Sequence, residues 1–242
     1  MREPAGERLQ RVLARAGFGS RRSCEVLIAE GRVAVNDEQA VLGRRVDPAS
    51  DRIAVDGVPV PAAAGLVRYL LNKPSGVITS ADDPQGRSTV LDLVPVEPRV
   101  FPVGRLDYDT EGLLILTNDG ELANLLAHPR HGVDKTYLAE VDGVPSPAAV
   151  RRLRKGVVLD DGVTQPARVS LLQGRDGRAA LEIVVHEGRN RQVRRMCDAV
   201  GHPVRRLVRT RIGPVGDTRL GPGKWRSLSP REVRALLEAA TA

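Results

Sequence analysis

Cysteine, lysine and aromatic residues are scarce in this chain of 242 residues. Its two cysteines, Cys24 and Cys197, exclude a disulfide framework and a cysteine-rich zinc site. Two Phe, three Tyr and one Trp provide no platform of the kind on which single-strand binders stack successive bases. Only 4 of the 37 basic residues are Lys; the other 33 are Arg. The first ten residues, MREPAGERLQ, hold no apolar run and so no secretory signal. No stretch approaches the roughly 18 apolar residues that a membrane span needs. A reducing cytoplasm with no membrane attachment is the expected setting.

What the chain has is positive charge, +7 overall, which favours a polyanionic partner, nucleic acid before membrane. Base composition of a GC-rich genome also raises Arg, so position matters more than total. Residues 187–211 carry 8 Arg (189, 191, 194, 195, 205, 206, 209 and 211) against Glu187 and Asp198, a net +6. Arg8, Arg11, Arg15, Arg21, Arg22 and Arg32 form a second cluster, against Glu25 and Glu30. With so few aromatics, phosphate contacts should dominate affinity for nucleic acid.

The first sixty residues read as one unit. Leu9, Val12, Leu13 and Ala16 have helical spacing, with Gly17 as a stop. Ser20 can cap a second helix that buries Cys24, Leu27 and Ile28 and ends at Gly31. RVAVN alternates like a strand. In IAVDGVPV, Asp56-Gly57 is a hairpin turn, and Pro59 suits a sheet edge.

RLQRVLARAGFGSRRSCEVLIAEGRVAVN resembles the S-four RNA-binding domain, named after a ribosomal protein. The resemblance implies that Arg8, Arg11, Arg21 and Arg22 face RNA. A generic helical cap with a solvated basic face is the plainer alternative.

The small, uncharged, Pro-bearing PVPAAAG segment is the best linker candidate. Expected boundaries are 6–60 for the RNA-binding domain, 61–66 for the linker and 67–240 for a second domain. Beyond the linker, VRYLLNKPSGVITS reads as an apolar strand entering a turn, and TYLAEVDGV, ARVSLLQ and LEIVVHEG as further strands. ELANLLAH, SPAAVRRLRKG and RQVRRMCDAVG read as helices. Ser229-Pro230-Arg231-Glu232 opens a last helix with a capping box. Strands and helices do not alternate regularly, so the class is α+β: a small helix-helix-strand domain, then a mixed, mainly antiparallel sheet flanked by helices.

Residues 102–120, PVGRLDYDTEGLLILTNDG, gather Asp107, Asp109, Glu111 and Asp119. A calcium loop counted from Asp107 needs a bidentate Glu at its twelfth position, but Asn118 stands there. A glycosidase carboxylate pair is conceivable, and so is an acidic turn with no chemistry.

GRLDYDTEGLLILTNDG is similar to the signature of the pseudouridine synthases of the RsuA/RluB group. LLNKPSGVITS, DKTYL and EGRNRQVRRMCDAVGHPVRRLVRTRIGP resemble the same group, in the same order. The resemblance extends over nearly the whole chain. It implies an isomerase that breaks the bond from uracil N1 to the sugar, turns the base and joins its C5 to the sugar. No redox change or hydrolysis occurs, so neither cofactor nor metal is implied.

By that resemblance, the GRLD aspartate, Asp107, is the catalytic carboxylate, as nucleophile or as base in an elimination. Asp109 and Glu111 stand at tolerant positions. Burial would raise the pKa of the carboxylate, and an adjacent guanidinium lowers it; Arg194 of QVR is the group implied. On the helix 191–200, Val193, Met196, Cys197 and Val200 form the buried stripe, with Val193 the apolar neighbour of the pocket. Tyr137 of K-T-Y would stack on a base turned out of its helix, with Lys135 beside it. Arg105 would help displace the base. Arg189, Arg191, Arg205 and Arg206 would contact RNA.

Related synthases often carry His where this chain has Arg191. His128 and His131 approach metal-ligand spacing, but no Cys or carboxylate set accompanies them, so a solvated pair is expected. The expected partner is ribosomal RNA, large-subunit RNA or its assembly intermediate, bound by a monomer in the bacterial cytoplasm. Small-subunit RNA, or a non-catalytic ribosome-assembly factor, is the alternative. Cys24 and Cys197 fall on buried faces and are given no function.

Overall fold

The computed structural model describes residues 6–61 and 65–241. Ala62–Ala64, most of the expected linker, lie outside the described residues. The chain divides into two compact units.

The first comprises the described residues up to Val67, with Pro95–Val100 and Asn118–Gly120. Its elements are β1 (Glu7–Arg8), α1 (Leu9–Arg15), α2 (Arg21–Ala29), β2 (Val33–Val35), β3 (Glu38–Gln39), β4 (Arg45–Val46), β5 (Ile53–Val55) and β6 (Val58–Pro59). Leu9, Val12 and Leu13 from α1 and Cys24 and Ile28 from α2 pack on Val33, Val35, Ile53 and Val55. Ser20 caps α2, accepting from Ser23 N at 3.1 Å, while Ser23 Oγ accepts from Ser20 N at 2.8 Å. The sheet order is β3–β2–β5–β6, so Pro59 lies on an edge strand, where its missing N–H costs no ladder bond. Asp56 and Gly57 both have positive φ, as a two-residue type I′ hairpin requires.

The second unit carries β7 (Arg68–Lys73), β8 (Phe101–Pro102), β9 (Thr110–Thr117), α3 (Gly120–Ala127), β10 (Lys135–Asp142), α4 (Pro147–Lys155), β11 (Val158–Leu159), β12 (Gly162–Val163), β13 (Arg168–Arg175), β14 (Arg178–Val185), α5 (Gln192–Asp198), β15 (Val204–Ile212), β16 (Val215–Gly216), β17 (Trp225–Ser227) and α6 (Pro230–Thr241). The main sheet runs β13–β14–β10–β15–β9–β7–β17. Its pairings are antiparallel except β9 with β15. The fold is therefore α+β, with a mixed, mainly antiparallel sheet.

Two apolar clusters lie either side of that parallel pair. One gathers Leu153, Leu181, Ile183, Met196 and Cys197 with α4 and α5. The other gathers Leu70, Ile115, Leu122, Leu126 and Leu236 with α3 and α6. Ser229 and Glu232 cap α6 reciprocally, Ser229 N donating to Glu232 Oε2 at 2.8 Å and Glu232 N to Ser229 Oγ at 3.3 Å. The central strand β15 lies in the stretch read above only as a basic segment. Opposite it, Gly112 has φ +108°, and a Cβ there would lie 2.2 Å from the Arg209 carbonyl oxygen. Glycine is what lets β9 and β15 approach this closely.

Candidate active site

Asp107 stands on the loop from β8 to β9, which closes with Thr110 N donating to Asp107 O at 3.0 Å. The loop borders a cavity of about 390 Å³ at the seam of the sheet. Arg105, Asp107, Lys135, Tyr137, Val193 and Arg209 all reach its wall. Tyr137 on β10 is paired directly with Arg209 on β15, so both side chains stand on one face of the sheet. Among the described residues, no side chain makes a direct hydrogen bond or ion pair with the Asp107 carboxylate. Lys73 and Arg191 act on it through space.

Lys73 is fully buried at the end of β7. Its Nζ donates to the carbonyl oxygens of Pro74 at 2.9 Å and Thr110 at 2.8 Å, with that of Tyr108 at 3.4 Å. Burial pulls its pKa down to about 8, against the opposing charges of Asp109, Asp107 and Glu111. Lys135 is also lowered, by burial and then by Arg209.

Asp109, set aside above as tolerant, is the meeting point of two guanidinium groups. Arg191 binds it in bidentate fashion, at 3.1 and 3.2 Å. Arg194, 7% exposed, donates to the Asp109 carbonyl at 2.9 Å and lies 3.2 Å from its carboxylate. Burial opposes the charge on Asp109, yet Arg191 and Arg194 hold its carboxyl below the usual range. Arg194 thus points inward, but onto Asp109 and onto Val204 O at 3.1 Å, not onto Asp107. The helix it sits on spans Gln192–Asp198; Arg191 precedes it in the left-handed region, φ 47°.

The other arginines of the basic segment are engaged within the protein. Arg189 donates to Glu187, to Asp161 and to the carbonyls of Gly162 and Val163. Arg205 pairs with Asp142, and Arg206 binds Glu111 through two bonds of 2.9 Å. In the first unit, Arg8, Arg21 and Arg22 are exposed and Arg11 is half-buried. Asp107, Asp109 and Glu111 do not form a cation cage: no three His, Cys, Asp or Glu side chains among the described residues are placed to hold a metal.

The family described as RNA pseudouridylate synthase matches residues 68–199, and the S4 domain matches residues 7–53. The "Ribosomal large subunit pseudouridine synthase B" of Bacillus subtilis is 47% identical over 234 residues, 95% of each chain. The chain belongs to the RNA pseudouridine synthase family. The protein of the same name from Pseudomonas aeruginosa is 47% identical over 97% of this synthase and 63% of its own length. A solved pseudouridylate synthase superposes with a TM-score of 0.68 at 29% identity, covering 95% of the synthase and 99% of that chain.

Three groups at the synthase's cavity and its loop are not singled out by sequence. Lys73 has a signal, a lone Lys ending an otherwise apolar strand in a chain with only 4 lysines. Arg209 has none, because β15 interleaves Arg and apolar residues without a clean period, and Thr110 looks like any strand threonine. Cys24 and Cys197 are buried free thiols.

Proposed function

We propose that this pseudouridine synthase modifies one uridine of ribosomal RNA, in the large subunit, with Asp107 as the catalytic carboxylate. The names of its relatives from Bacillus subtilis and Pseudomonas aeruginosa support the large-subunit assignment. The observation that carries the catalytic assignment is a carboxylate with no direct partner, on the wall of a cavity it shares with Arg105, Lys135 and Tyr137.

In this reading the uridine turns out of its helix into the cavity and lies on Tyr137, which returns part of the unstacking cost. Val193 supplies apolar wall, and Arg105 occupies the place vacated by the base. Asp107 then attacks C1′ of the sugar, or removes the proton at C2′. Lys135 adds positive charge near the base. Arg194 acts on the Asp107 loop through Asp109. Arg8, Arg11, Arg21 and Arg22, in a domain spanning 6–60, hold RNA phosphates. A linker over 61–66 leads to the catalytic domain, 67–240. Arg189, Arg191, Arg205 and Arg206 contact RNA by exchanging protein carboxylates for phosphate. The synthase works as a cytoplasmic monomer.

The test is to incubate the protein with ribosomal RNA transcripts and with assembly particles, and to map pseudouridine by carbodiimide modification and primer extension. One new stop in large-subunit RNA, absent with Asp107→Ala, is the expected result. A stop in small-subunit RNA would reassign the substrate. No stop on either form, with tight binding intact, would overturn the reading.

A further inference from the structure

Two residues that line the cavity each carry a buried polar atom with no hydrogen-bond partner among the described residues: Arg209 Nη2 and Thr110 Oγ1. Arg209 is 4% exposed and Thr110 2%. Buried donors and acceptors are rarely left so in a folded protein, and the exceptions call for an explanation. The Arg209 side chain is anchored, and the Thr110 backbone is held on both sides. Arg209 Nε is fixed on the Leu113 carbonyl at 2.7 Å, and its backbone is paired on both sides, with Tyr137 and with Gly112. Thr110 donates its N–H to Asp107 O, and its carbonyl accepts from Lys73.

The place of these atoms suits one ligand. Tyr137 is the direct cross-strand partner of Arg209. A uracil ring lying on Tyr137 presents its edge to residues on that same sheet face. The edge carries two carbonyl oxygens with an N–H between them. A guanidinium N–H matches a carbonyl, and a hydroxyl oxygen matches the N–H.

We infer that Arg209 Nη2 donates to a carbonyl oxygen of the uracil being isomerised, while Thr110 Oγ1 accepts from its N3–H. The inference rests on the reading that the cavity receives the uridine beside Asp107. When the bond between C1′ and N1 breaks, its electron pair remains on the base. The sugar carbon is taken by an Asp107 oxygen, or a C2′ proton passes to that carboxylate. Either way uracil is released as an anion, its charge shared between N1 and the carbonyl oxygens. The bond from Arg209 strengthens as that charge develops. Its effect therefore falls on the chemical step more than on binding. The charge returns to Asp107 when C5 bonds to C1′, as the carboxylate is displaced or gives its proton back to C2′; C5 then loses its proton and N1 takes one up.

The test uses the RNA in which the wild type forms pseudouridine, and the same RNA with an abasic site at that position. Single-turnover rates and filter-binding affinities are measured for wild type, Arg209→Gln, Arg209→Lys and Thr110→Val. Arg209→Gln should slow conversion about 100-fold and Thr110→Val about tenfold. Affinity for the abasic RNA should be unchanged in both. Because Arg209→Gln weakens the bond to Leu113 and can fail to fold, Arg209→Lys carries the same test. Lysine has a single nitrogen, which can serve the Leu113 carbonyl but cannot also stand where Nη2 stands, so it too should be slow.

Weaker binding of the abasic RNA by the Arg209 variants would place the contact on the RNA backbone and overturn the base assignment. Wild-type rates in Arg209→Lys, with Asp107→Asn inactive, would remove this inference alone. Full activity in Asp107→Asn would remove the underlying reading and the inference with it.

Discussion

Lys73 and Thr110 are joined by a buried hydrogen bond of 2.8 Å, so a fully buried ammonium holds the end of the Asp107 loop. Lys73→Met keeps the apolar stem and removes that hold. A loop displaced by about 1 Å can cost about 100-fold in turnover, and a loss of that order is expected. The pH dependence of stability gives an independent readout. The folded chain releases the Lys73 proton near 8, whereas the ordinary lysine value is 10.5. Between those values the unfolded chain binds more protons than the folded one, so the Lys73 contribution to stability rises with pH and is lost as pH falls through 8. Urea unfolding of wild type and Lys73→Met, from pH 7 to pH 10.5, should show this rise in their difference. Lys135 shifts in the same direction but is common to both and cancels.

Asp107→Asn should separate catalysis from folding. The carboxylate has no direct partner among the described residues, so its removal should leave stability within about 0.5 kcal/mol. Turnover should fall by about four orders of magnitude or more if the group forms or breaks bonds to the sugar. RNA affinity should hold. A loss of stability equal to the loss of activity would make the residue a structural one.

The elements that follow local rules are legible in the sequence. Ser20 and Ser229 cap the helices expected of them, Asp56-Gly57 turns the hairpin, and Pro59 sits on an edge. The α+β class follows from the irregular order of elements. The strand β15 is not legible, because three arginines follow Val204 within six positions and mask its period; tertiary pairing on both sides makes it a strand. The cavity wall is partly legible, since motif resemblance leads to Asp107, Tyr137 and Lys135. That Arg194 meets Asp109 could not be read, because a contact 85 positions apart depends on how α5 sits against the loop. Equally, runs of arginine do not reveal that Arg189, Arg205 and Arg206 have carboxylate partners in the protein.

Gly112→Ala tests the seam between β9 and β15. The added Cβ would lie 2.2 Å from the carbonyl oxygen and 2.5 Å from the nitrogen of Arg209, both backbone atoms that cannot swing aside. The backbone is also at φ +108°, a region that side chains disfavour. The cost should be about 3 kcal/mol or more, read as a fall in the urea midpoint. A variant of normal stability would mean that the parallel pair is looser than its spacing indicates.

Asp109→Asn tests how α5 is tied to the catalytic loop. The substitution keeps the shape but removes the charge that Arg191 and Arg194 share. The carboxylate is 43% exposed, so solvent screens the pair and about 1 kcal/mol of stability is expected to go. The Asp109 pKa is held low in the folded state, so this contribution is present above the ordinary value of 3.8 and is lost as pH falls further. Wild type and variant should therefore converge in stability in acid. Turnover should drop more than RNA affinity, because Arg194 keeps its place only through Val204 and the Asp109 backbone.

Arg21 and Arg22 open α2 beside the Ser20 cap, both exposed, in a region that matches the S4 domain. If they meet phosphates, each contact releases counterions and adds about 0.7–0.9 to the slope of log affinity against log salt. Arg21→Ala with Arg22→Ala should lower the slope by about 1.4–1.8 and leave the conversion rate of bound RNA intact. Arg205→Ala with Arg206→Ala is the contrasting pair. Those side chains already bind Asp142 and Glu111, so a phosphate must displace a carboxylate to gain them. Their removal should move the slope less. An unchanged slope in the Arg21 and Arg22 variant would remove the N-terminal anchor, and a larger effect at Arg205 and Arg206 would move the electrostatic footprint to β15.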